Sequence, residues 1–188
     1  LPLLIPLVAG ALLFIVGGAR RGLERAIGLT ASVALLAVSL LLLERTAGGE
    51  HMVYYVGNWP APFGIVLVAD RLSALMLALT AALAVGSLVY ALGGDDGRGR
   101  RFHPLFQMQL LGINGAFLTG DLFNMYVWFE VLLISSFVLL TLGNRRAQLE
   151  GGLKYVAVNL VSSLFFLVSI GLVYGLTGTL NMADLALA

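Results

Sequence analysis

The chain has no cysteine among its 188 residues, and only 11% of them are charged. Without a thiol there is no disulfide framework, no thiolate metal site and no catalytic cysteine. The shortage of charge says more. A soluble domain carries about 25% charged residues, whereas this chain is 60% hydrophobic with a mean hydropathy of +0.97. The composition is that of an integral membrane protein. A formal net charge of +1 offers no basic footprint for nucleic acid and suggests no strongly acidic partner. The two histidines, His51 and His103, stand far apart at helix margins and read as interfacial residues rather than metal ligands. No bound cofactor and no metal is expected.

What the chain does have is apolar length. Six segments are read as spans: residues 2–17, 26–43, 65–92, 104–119, 123–142 and 153–176. A hydrocarbon core about 30 Å thick needs about 20 helical residues, and about 17 at the short limit. The first and fourth segments sit near that limit. Their apolar character does not alternate residue by residue, so helices are expected rather than a barrel. The first segment has no basic residue ahead of it, and Arg20, Arg21 and Arg25 follow it. It is therefore read as a span and not as a secretory leader.

Charge orients the bundle. Connections after spans one, three and five hold Arg20, Arg21 and Arg25, then Arg98, Arg100 and Arg101, then Arg145 and Arg146. The opposite side offers only Arg45, with Arg71 at the start of span three. Short loops rich in arginine and lysine stay cytoplasmic, which predicts an outside N-terminus for a multi-pass protein of the cell membrane. The long outer connection, residues 44–64, holds Tyr54, Tyr55 and Trp59, which suit a membrane–water boundary. Pro60 and Pro62 keep its last part from being regular helix.

Glu130 is the single acid in the fifth span. A carboxylate near the middle of a spanning helix costs on the order of 3 kcal/mol, and such groups normally face a protein interior or a watered path. Removal from water drives the group toward its neutral form, which lets it bind and release a proton in transit. The alternative is a neutral acid that only locks helices together by hydrogen bonding. Asp121, between spans four and five, is read as a helix cap in preference to an ion ligand. Asp70 and Arg71 form an ordinary interfacial pair, although with Asp121 they are also placed to line a proton exit.

Lys154 lies near the inner end of the sixth span. Either it snorkels to the headgroups, or it is a water-connected lysine that gives up its proton and passes it inward. Helix geometry sets it on the order of 15 Å from Glu130 along the membrane normal, too far for an ion pair. Ser135, Ser136, Asn159, Ser162 and Ser163 are candidates to line the intervening gap, though serines also pack helices with no transport role.

Four runs together carry a resemblance: 119–137 (TGDLFNMYVWFEVLLISSF), 59–76 (WPAPFGIVLVADRLSALM), 152–160 (GLKYVAVNL) and 174–182 (YGLTGTLNM). The chain resembles the antiporter-like proton-translocating subunits of Mrp-type multisubunit cation/proton antiporters, the membrane arm of respiratory complex I and membrane-bound hydrogenases. Within these it is most similar to the D-type subunits of the Mrp branch. Residues 55–188 carry the likeness, and the first two spans share only hydropathy. The resemblance implies an all-α polytopic bundle of about six transmembrane helices, the N-terminal part of a longer subunit. Residues 1–103 would be three leading helices, and 104–188 the first part of the inverted repeat.

The resemblance further implies that Glu130 belongs to the proton path, paired with a lysine on a seventh helix beyond Ala188. Lys154 matches a lysine that several members place at the same point. The activity implied is exchange of protons for sodium or another monovalent cation, in a lipid bilayer, among other membrane subunits of a hetero-oligomeric complex. Two alternatives stand beside it: a proton-pumping subunit of complex I or a hydrogenase, and a structural scaffold subunit.

Overall fold

The structure is a computed structural model that describes residues 1–187 except 17–19, 60–63, 95–98 and 100. Pro60, Pro62, Arg98 and Arg100 therefore lie outside the described residues. Among the described residues six helices make the body: α1 (Leu4–Val16), α2 (Arg21–Arg45), α3 (Arg71–Ala91), α4 (Phe102–Leu118), α5 (Leu122–Thr141) and α6 (Arg146–Thr177). A short α7 (Met182–Leu185) follows, and two strands, β1 (Met52–Tyr55) and β2 (Val66–Ala69), precede α3. By length and composition α2, α3, α5 and α6 can each cross a bilayer. The 13 residues of α1 and 17 of α4 reach about 20 and 25 Å, so the figure of six spans is approximate.

Buried positions on α2 fall at Glu24, Gly28, Ser32, Leu35 and Ser39, one helical stripe. On α3 they fall at Ala74, Leu77, Ala78, Ala81, Ala84, Leu88 and Ala91. Such spacing of three and four places each set on one face. The small residues let backbones approach closely, which is how helices associate in lipid. Leu35, Ala81, Ala84 and Leu110 form the core between α2, α3 and α4. Helix α1 packs on α2 and α4, α4 on α5, and α5 on α6. Helix α6 touches mainly α5, and most of its surface is bare.

The third span differs from its sequence reading. Helix does not begin at Ile65; Val66–Ala69 pair antiparallel with Met52–Tyr55, in the register Met52↔Ala69 to Tyr55↔Val66. A short apolar run cannot be told from buried helix by periodicity, and β-branched Val66 and Val68 favour the strand. The helix starts where Asp70 accepts the Ser73 amide hydrogen at 2.7 Å. That bond holds the Asp70 carboxyl below its ordinary range. Because the folded-state value is depressed, its stabilising effect is present at neutral pH and is lost only as pH falls through that lowered value. The sixth helix is longer than read, because residues 146–152 are already helical.

Candidate functional site

Residues 119–121 fix how α5 enters the bundle. The Gly120 amide donates to Val66 O at 2.8 Å, and Gly120 O accepts from the Met182 amide at 2.9 Å. A Cβ on Gly120 would lie 2.9 Å from Val68 Cγ2, so the close approach of β2 requires glycine. Asp121 is buried and accepts the Asn124 amide hydrogen at 2.8 Å. It is the cap of α5. Asn124 Nδ2 in turn donates to Thr119 Oγ1 at 2.8 Å. Asp121→Asn should therefore keep most stability, since an amide oxygen still accepts. Asp121→Ala should cost about 1 kcal/mol, read as a lower melting temperature in detergent.

Glu130 follows from that entry. It lies in the ninth position of α5, about 12 Å along the axis from the capped end, and faces α6. Ser163 Oγ donates to Glu130 Oε1, and the same hydroxyl lies 3.4 Å from the Tyr126 hydroxyl. The Ser163 hydroxyl proton thus has two acceptors, Glu130 Oε1 and, at longer range, the Tyr126 oxygen. Tyr126 is one turn before Glu130 and packs edge-on to Phe166, with ring centroids 6.0 Å apart. Two cavities of about 220 and 390 Å³ flank this contact, and Glu130, Leu133, Asn159 and Ser163 line both.

Polar groups continue along α6. Asn159 Nδ2 donates to Tyr155 O at 2.8 Å, and the Tyr155 hydroxyl lies 2.9 Å from Ser136 Oγ. Tyr155 also lines the smaller cavity with Glu130. The side chains thus step from Tyr126 through Glu130 and Ser163 to Asn159, Tyr155 and Ser136. Of the residues expected to line the gap, Asn159 and Ser163 line both cavities, and Ser136 is reached through the Tyr155 hydroxyl. Ser162 lines only the larger cavity and donates to its own helix at Val158 O, while Ser135 donates to Val131 O. Tyr126 and Tyr155 escaped the sequence reading. Their spacing of four from Glu130 and Asn159 was the available signal.

Lys154 is not brought to Glu130. Ser163 is about 13 Å along the α6 axis from it, and neither cavity includes it. Its ammonium pairs with Glu150 at 3.1 Å, with the side chains 75% and 64% exposed, on the bare face of α6. Asp121 is not among the residues that line the cavity at Asp70. Asp70 lines a separate cavity of about 550 Å³ with His51, Thr119, Asn181 and Asp184, whereas Asp121 is occupied as a cap. His103 is buried rather than interfacial, against Gly28 of α2. Among the described residues no three His, Asp or Glu side chains converge to hold a metal ion.

Residues 119–188, the part that builds this site, match the family model described as "NADH:quinone oxidoreductase/Mrp antiporter, TM". Nearly the whole chain, 99% of it, aligns at 48% identity over 191 residues with the D-type subunit of a probable K(+)/H(+) antiporter of Rhizobium meliloti. The chain belongs to the antiporter-like membrane subunit family. A second relative of this family, the D-type subunit of the Na(+)/H(+) antiporter of Alkalihalophilus pseudofirmus, is 44% identical over 188 residues. The chain spans 35% and 38% of the lengths of these two relatives. Among solved structures, the Mrp complex from Dietzia sp. holds a chain that superposes with TM-score 0.90 at 31% identity. That match covers 97% of this chain and 34% of the other. The antiporter-like fold therefore extends over the leading helices α1–α3 as well as over the site.

Proposed function

We propose that this chain forms the proton-handling part of the D-type subunit in a multisubunit monovalent cation/proton antiporter of the cell membrane. The observation that carries the reading is Glu130, an acid halfway along a spanning helix, hydrogen-bonded to Ser163 and bordered by two cavities. A carboxyl group placed there can receive a proton on one side and deliver it on the other, provided that it exchanges its serine partner for water. Tyr126 lies toward the capped end of α5, and Asn159, Tyr155 and Ser136 lie toward the arginine-bearing end. The N-terminus would be outside, by the arginine distribution. Similarity to D-type antiporter subunits named for sodium and for potassium supports a monovalent cation as the exchanged ion. Other membrane subunits would complete the assembly, with no cofactor bound by this chain.

Everted vesicles carrying the full complex test the activity. Addition of Na⁺ or K⁺ should collapse an imposed proton gradient with no redox substrate present. Movement of protons only during electron transfer would instead favour the redox-driven arm, the second reading, which the family description also embraces.

Lys154 enters the proposal as the inner proton-transfer group. Its support is the family resemblance and its place on the bare face of α6, where further chain or another subunit would enclose it. Relay requires it to leave Glu150 and lose its charge. Arginine cannot do so, because its guanidinium stays protonated up to about pH 12. Lys154→Arg and Lys154→Ala are both expected to slow exchange several-fold and shift its pH profile, with assembly intact. Full activity and an unchanged profile in Lys154→Arg would reduce Lys154 to a headgroup anchor.

A further inference from the structure

Ionisable groups are also buried on α2 and α4, outside the α5–α6 contact that holds Glu130. Glu24 and His103 are 5% and 4% exposed, each in the first turn of its helix. A Cβ on Gly28 would stand 3.0 Å from His103 Nδ1, so the imidazole rests on α2. Gly28 follows Glu24 by about one turn on the same buried stripe. One turn further along α4, Gln107 is 1% exposed, and its Nε2 donates to Gly28 O at 3.1 Å and to Ser32 Oγ at 3.2 Å. Gln107 Oε1 is buried and has no hydrogen-bond donor among the described residues.

The result is a ladder of carboxyl, imidazole, carboxamide and hydroxyl that enters from the arginine-bearing end. Two leucines interrupt it before the next buried polar groups, Ser39 on α2 and Asn114 on α4. Leu35 and Leu110, the next positions inward on α2 and α4, belong to the apolar core with Ala81 and Ala84. A buried amide oxygen left without a donor costs about 1–3 kcal/mol, and a bound water is the smallest group that removes the cost. Hydration at that point would also connect the imidazole and the carboxyl to exchangeable protons.

We propose that Glu24 and His103 form a second proton-binding site, hydrated by a water that donates to Gln107 Oε1, which loads and unloads from one side of the membrane only. One proton taken from water is held between the two side chains and returns to water the same way. The charged groups of the same helix ends are Arg21 and Arg25 on α2 and Arg101 at the start of α4, while Tyr90 at the end of α3 is 78% exposed. Helix α1 contributes none; it presents Phe14, over whose ring Arg101 lies at 5.8 Å. Glu24, Arg25 and His103 all have interaction partners, so the competing role is a fixed ion pair.

The test is infrared difference spectroscopy on the intact complex between acid and alkaline buffer. A Glu130→Gln background removes the carboxyl signal of the α5–α6 site, so the readout does not depend on exchange activity. Carboxyl and imidazole bands that titrate together, and vanish together in Glu24→Gln or in His103→Gln, are expected, with about one proton fewer taken up per complex. A Glu24 band that stays ionised at both pH values would overturn the proposal in favour of the ion pair. Should neither variant assemble, high-resolution density of the unmodified complex decides. Water within hydrogen-bond distance of Gln107 Oε1 is expected, and a dry apolar contact there overturns the proposal.

Discussion

Glu130→Gln is expected to bring cation-driven proton movement down to the background of vesicles lacking the complex, while the subunit still assembles. Glutamine keeps the length and the acceptor oxygen, so Ser163 can still donate to it and α5 can still pack on α6. What it loses is the group that binds a proton. Loss of an obligatory transfer site should depress the rate at every pH, because no change of bulk pH restores a titrating group. A dye-monitored exchange series over several pH values, with immunodetected assembly alongside, reads both quantities. Exchange at the wild-type rate would mean that Glu130 only ties two helices together, and the scaffold reading would then stand. Ser163→Ala offers a milder companion. It removes one hydrogen bond and leaves the carboxyl, so it is expected to change the pH profile more than the maximum rate.

The second large effect concerns stability and comes from Gly115. A Cβ there would fall 2.1 Å from Trp128 Cδ2, and one on Gly112 would fall 2.8 Å from the Leu132 backbone nitrogen. Gly112 lets α4 approach the α5 backbone, and Gly115 makes room for the Trp128 indole. Adding a methyl group forces the helices apart, at a cost of about 1–3 kcal/mol where a core is already full. Gly115→Ala should lower the melting temperature in detergent and reduce the assembled fraction. The surviving complex should also exchange more slowly, since Trp128 is two residues from Glu130 and both move with α5. Trp128 Nε1 makes no hydrogen bond among the described residues, so replacing the ring sacrifices packing and no polar contact. Gly115→Ala combined with Trp128→Leu is accordingly expected to recover part of the lost stability. Wild-type melting in Gly115→Ala alone would contradict the tight α4–α5 contact.

Much of this architecture is legible in the sequence because it is set locally. Apolar runs long enough to span are a property of each segment alone, and they predicted the helical membrane class and the order of the helices. Asp121 caps α5 through an amide three residues away, a contact its own chain neighbourhood determines. The central position of Glu130 is likewise counted along one helix. The helical rise alone keeps Glu130 and Lys154 apart, and the two residues do belong to different surfaces of the structure.

Other features are decided between segments distant in the chain, and these only the tertiary structure settled. Residues 66–69 are a strand because 52–55 lie beside them to supply hydrogen bonds, and hydropathy scores both arrangements alike. Which polar residues meet Glu130 depends on the rotation of α6 against α5, so Ser163 and Tyr126 were selected over Ser135 and Ser162 by packing. The same rotation turned Lys154 to the bare face beside Glu150. His103 looked like a boundary residue until the missing side chain of Gly28 let it sink against α2. The sequence alone determined the membrane class, the order of apolar segments and the presence of one acid in mid-span, since each follows from local chemistry. The tertiary structure decided which partners surround that acid and which other polar groups are buried, since those depend on how whole helices meet.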